Sequence, residues 1–215
     1  MKKIFLVLTL AISLLLSACS ATDVVGKNSK SSFKKLYEKN VDSIGFVSNK
    51  QRFVFSLPSN ETFEWGTNFK GNKSDIVFEV DATPFINAGL DTNKLPEYIK
   101  YDGKKLIFNF DISENDIKSD QKDGAVTFSS IIDKHRDLIG YHEELQHFGL
   151  TLKEGYKVEW AKDVDTNDKD LVLILNPGEL KEMGVDVNKV EGWTFTKMKE
   201  MDKEVELLLK PFDLK

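Results

Sequence analysis

The densest run of chemically capable side chains is His142-Glu143-Glu144-Leu145-Gln146-His147. It approaches a zinc-protease helix, in which two histidines four apart share one face and a glutamate serves as base. Here the histidines are five apart, about 140° around a helix, so one helix cannot aim both at one ion. Together with His135 they are the only histidines, and the reading is solvated surface residues with no metal site. Asp163-Val164-Asp165-Thr166-Asn167-Asp168 imitates the start of a calcium loop. The sixth position should be glycine and is Asp168; the twelfth should be glutamate and is Ile174, so the sharp turn and the bidentate ligand are both missing. A solvated acidic loop is expected there, and no metal or cofactor is implied.

Two groups of residues recur. Glu64-Trp65 reappears as Glu159-Trp160, and Asp91, Asn93 and Lys94 reappear as Asp186, Asn188 and Lys189. Tryptophan two residues after an apolar one fits a sheet core. An exposed aromatic beside a carboxylate fits ligand stacking, so Glu64, Trp65, Glu159 and Trp160 are the candidate binding residues. The Asp-Asn-Lys groups follow glycines and read as turns in which Asp bonds its own backbone. There is no glycine-rich phosphate loop and no serine nucleophile elbow. Carboxylates are plentiful but form no evident catalytic pair in sequence, and no catalytic residue is assigned.

The first residues carry a different kind of chemistry. Lys2 and Lys3 precede an apolar run from Ile4 to Leu16, closed by Leu16-Ser17-Ala18-Cys19. The run is shorter than the roughly 20 residues that span a bilayer as a helix, and the layout is that of an export signal. With cysteine directly after Leu-Ser-Ala, residues 1–19 resemble a bacterial lipoprotein signal. That resemblance implies cleavage before Cys19, a diacylglycerol on the Cys19 thiol and an extracytoplasmic protein anchored in a bacterial membrane. Cys19 is the only cysteine, so disulfides and a Cys nucleophile are excluded from the exported domain. Loss of Lys2 and Lys3 leaves the exported domain more negative, by both lysine charges, than the −5 of the whole chain. Nothing in this balance invites nucleic acid.

The elements that position these residues are written twice. Shifted by 95 residues, the chain matches itself without a gap over about 60 positions. Phe33 meets Phe128, Trp65 meets Trp160 and Gly89 meets Gly184. Each copy reads as a longer N-terminal helix (Phe33, Leu36, Tyr37, Val41 and Ile44 on one face; Phe128, Ile131, Ile132 and Ile139 in the second copy), ended near Gly45 or Gly140. Alternating strands follow at Phe53-Phe55-Leu57 and at Phe63-Trp65, then a continuous apolar strand over 76–80. A short helix over 84–88 and two closing strands, turning at Asp102-Gly103, complete the unit. The fold class is α+β, a tandem internal duplication of mainly antiparallel sheets. The organisation is signal 1–18, flexible tether 19–30, repeat 31–112, linker 113–125 and repeat 126–215.

These features favour a non-enzymatic, lipid-anchored binding or envelope accessory protein. Its partners would be the membrane, through lipidated Cys19, and a small ligand, envelope polymer or protein held between the repeats. The alternative is an extracellular hydrolase with Asp, Glu and His assembled in the cleft between repeats.

Overall fold

The computed structural model describes residues 23–67, 75–111, 123–166, 169–200 and 203–214. The signal, Cys19 and most of the expected linker lie outside them. Helix α1 covers residues 23–39. It is followed by β1 (Ile44–Val47), β2 (Arg52–Leu57), β3 (Glu61–Gly66), β4 (Ile76–Asp81), α2 (Thr83–Asn87), β5 (Ile99–Tyr101) and β6 (Lys105–Phe110). The second set is α3 (Gly124–Lys134), β7 (Ile139–His142), β8 (His147–Lys153), β9 (Tyr156–Ala161), β10 (Leu171–Leu175), α4 (Pro177–Glu182), β11 (Thr194–Glu200) and β12 (Lys203–Phe212). The class is α+β. Two six-stranded antiparallel sheets run in the orders β1-β2-β3-β4-β6-β5 and β7-β8-β9-β10-β12-β11.

The two sheets share register as well as order. Trp65 lies opposite Phe53 and Ile76, and Trp160 lies opposite Phe148 and Leu171, each 95 residues on. Alternation fixes which face each residue takes, because a slip of one would turn the whole apolar set outward. Phe53, Phe55, Phe63 and Trp65 are buried, as are Phe148, Leu150, Val158 and Trp160.

Helices α1 and α3 join the sheets. The Phe33 and Phe128 rings stack at 3.7 Å between centroids. Phe33 stands edge-on to Trp65 and Trp160, 5.6 Å from each, and Phe128 does the same at 5.8 and 5.4 Å. Each tryptophan then reaches across to the other unit: Trp65 Nε1 donates to the Gly124 carbonyl at 3.0 Å, and Trp160 Nε1 to the Ser29 carbonyl at 3.1 Å. Buried indole N–H groups need acceptors, and here each acceptor belongs to the other unit's helix. A second crossing lies after α2 and α4, where Asp91 N donates to Met183 O and Asp186 N to Ala88 O, both at 2.8 Å. Gly89 and Gly184 have φ of +101° and +92°, and a Cβ on either would sit 2.9 Å from the other's carbonyl oxygen. Only glycine satisfies both the left-handed backbone and that approach. One continuous hydrophobic core takes side chains from both units.

Three expectations need correction. Residues 23–30, placed in a flexible tether, are helical, and Ser29 is fully buried. Few of them are apolar, so the local signal was weak; contact with the second sheet holds them. The first helix ends by residue 39, and α3 ends at Lys134. Val41 falls in a 3-10 turn, Ile44 and Gly45 in β1, and Ile139 and Gly140 in β7. Apolar spacing that continued the helical stripe was therefore an edge strand. The turn at Gly103 and the first unit's closing strands match expectation.

Candidate functional site on the outer face of the second sheet

Strand alternation that buries Trp160 turns Glu159 to the opposite face. There β7, β8 and β9 bring together His142, His147 and Glu159. The hairpin sets His142 directly opposite His147, so a five-residue spacing that fails on a helix succeeds across two strands. Glu159 Oε2 lies 3.4 Å from His142 Nδ1 and 3.7 Å from His147 Nδ1. The second distance exceeds hydrogen-bond reach but is short for charge attraction. His147 is 1 % exposed, and neither ring nitrogen has a hydrogen-bond partner. The expectation of solvated histidines is thus wrong for His147 and only partly right for His142. Burial alone would raise the Glu159 pKa; the contact with His142 and the charge of both nearby imidazoles outweigh it and hold it at about 2. The carboxylate is ionised at any ordinary pH.

Gly140 and Gly149 face each other beside this group and leave the sheet surface bare. A Cβ on Gly149 would press on Glu159 Cγ at 3.1 Å. The bare patch is the floor of an open depression of ≈ 780 Å³, walled by Lys157, Lys203, Val205 and the Glu143-Glu144 turn. That volume is within the range of small-molecule sites. The lining offers no serine or cysteine nucleophile; its hydroxyls are Thr151 and Tyr141. Among the described residues, no three His, Cys, Asp or Glu side chains are arranged to hold a metal ion.

The first unit closes the same place. At the positions of His147, Glu159 and Gly149 it carries Arg52, Glu64 and Val54. Arg52 Nε donates to Glu64 Oε2 at 2.9 Å, and both side chains are buried. Glu64 therefore serves an internal ion pair. Trp65 and Trp160 are fully buried against core rings. Of the four candidate binding residues, Glu159 lines the depression. The residues sequence reasoning missed are Gly149, His147 as a buried group and Arg52. Their signal was present in the 95-residue register, once strand alternation is used to ask which side chains share a face with Glu159.

The junction between units holds a second, smaller depression of ≈ 590 Å³, beside Tyr98, Lys153 and Glu179. Glu179 accepts from Tyr98, from Lys153 and, at 2.9 Å, from Tyr156. Burial would raise the Glu179 pKa, but those three donors lower it. Its carboxylate is engaged in tying the units together. The Asp91 and Asp186 turns are as expected, each Asp accepting from the backbone N–H two residues on. Asn167 and Asp168 of the acidic loop lie outside the described residues. Comparison with family models, curated proteins and solved structures gives no match for this chain.

Proposed function

We propose that this chain is a membrane-anchored extracytoplasmic lipoprotein that binds a small ligand without chemical turnover. Two homologous units, products of an internal duplication, would form its body. The observation that carries the binding reading is a divergence between matched strands: a closed ion pair in the first unit and an open depression beside Glu159 in the second. The anchor rests on Leu16-Ser17-Ala18-Cys19. With residue 23 already helical, at most about 14 Å of chain separates Cys19 from the folded body at 3.3–3.6 Å per residue. The body would therefore sit close against the membrane. The depression's lack of a serine or cysteine, and the engagement of Glu179 by three donors, favour binding over hydrolysis.

Labelling cells with a fatty-acid analogue tests the anchor. Label should enter the wild-type chain and be absent from Cys19→Ser; label retained by that variant would remove Cys19 as the lipid site. Thermal-shift screening of the full-length chain in detergent, against cationic, anionic and neutral small molecules, tests binding. A hit abolished by Gly149→Val supports the reading. A folded chain that binds none of the panel, or turns one over, refutes it.

A further inference from the structure

We infer that the depression over Glu159 takes a small organic cation with a guanidinium or ammonium head, which does for Glu159 what Arg52 does for Glu64. The inference rests on the binding reading above and names its ligand class. A buried carboxylate requires a positive partner, because leaving it unpaired is costly. In the first unit that partner is built in, the Arg52 guanidinium. In the second unit the same strand position is His147, shorter than arginine and, unlike it, charged only when protonated. The ionic partners of Glu159 are His142 and His147, which balance its charge only when protonated.

Space was opened where the charge was withdrawn. Gly149 stands where Val54 stands in the first unit, and the depression lies over it. The wall offers Val205 and the Tyr141 ring for the stem of such a ligand. A planar guanidinium can meet a carboxylate through two parallel N–H bonds, as a point charge cannot. The remaining charged groups at the rim are Lys157 and Lys203 against Glu143 and Glu144. Among the described lining residues these are two of each sign, and Glu159 is the buried carboxylate beneath them.

Proton and ligand cation therefore compete. A protonated imidazole meets the same carboxylate that the ligand's head group would meet. Binding of the cation should therefore be weaker in acid than at pH 8.

The test is calorimetric titration of the full-length chain in detergent with agmatine as guanidinium probe and phosphate as anionic control. Saturable one-to-one binding of agmatine at pH 8, weaker at pH 5.5, is expected. His147→Arg, which rebuilds the first unit's pair, should abolish it while circular dichroism stays unchanged. Gly149→Val gives the same readout by filling the space, should His147→Arg fail to fold. Absence of agmatine binding in the folded chain, or binding that survives both variants, overturns the inference. Binding of phosphate and not agmatine also overturns it, yet leaves the binding reading intact.

Discussion

Arg52 and His147 occupy matched positions beside matched carboxylates, yet they make opposite demands. Arg52 is charged at every accessible pH and locked to Glu64 at 2.9 Å. Removing it strands a buried carboxylate, and breaking such pairs typically costs about 3–5 kcal/mol. Arg52→Ala should therefore lower the urea midpoint strongly, as followed by tryptophan fluorescence. A loss below about 1 kcal/mol would mean the pair is solvated. Glu159 makes a pH prediction. Its folded pKa is depressed to about 2 from an ordinary 4.5. A depressed carboxylate contributes stability that is fully present above its unfolded pKa and is lost as pH falls toward the folded one. The window is pH 4.5 down to about 2, and at about 1.36 kcal/mol per unit the loss is about 3 kcal/mol. Urea unfolding of wild type and Glu159→Gln should show the acid-dependent gap between them closing across that window. A gap constant from about pH 5 to about pH 2 would contradict the depressed value.

Among the elements, the α1–α3 pair carries most weight. Phe33 and Phe128 are each about 1 % exposed or less and stacked on one another, so neither belongs to one unit alone. Phe33→Ala and Phe128→Ala should each cost about 3–5 kcal/mol. Two independent repeats would each lose stability separately. The shared core requires instead that each substitution lower a single transition seen by every probe, which thermal melts by near-ultraviolet and far-ultraviolet circular dichroism would check. Two separated transitions would exclude this. The glycine crossing gives a parallel test. Gly89→Ala and Gly184→Ala each force a left-handed alanine and a 2.9 Å contact with the opposite carbonyl. Both should destabilise by more than about 1 kcal/mol, and to a similar degree, since the contact is reciprocal.

The protein as a whole is one folding unit built from two similar halves. Trp65 has its indole acceptor on α3 and Trp160 has its own on α1. A first half expressed alone, residues 23–111, would leave the Trp65 N–H and the uncovered face of Phe33 without partners. It should give collapsed amide dispersion in nuclear magnetic resonance spectra, or else pair with a second copy. A well-dispersed monomer would show that the halves are independent domains.

Local patterns along the chain were enough for the α+β class, most strands and their facing, and the turns. Alternation places Phe53 and Trp65 on one face, and Gly89 marks a left-handed helix end. The 95-residue register also named pairs that the structure places in matched surroundings, Trp65 with Trp160 and Gly89 with Gly184. Local pattern misled where tertiary contact overrode it, in the helix over 23–30 and in edge strands β1 and β7. An edge strand carries no continuous apolar run, and helix–sheet contact needs no local signal. The site was legible only to a degree. Glu159 was named, but beside a tryptophan that the pleat sends to the opposite face. Whether His142 and His147 meet depends on a hairpin, not on their spacing. Whether a depression lies beside the buried carboxylate depends on a missing side chain one strand away at Gly149. Those are distances through space, and only the paired strands bring them within a few ångströms.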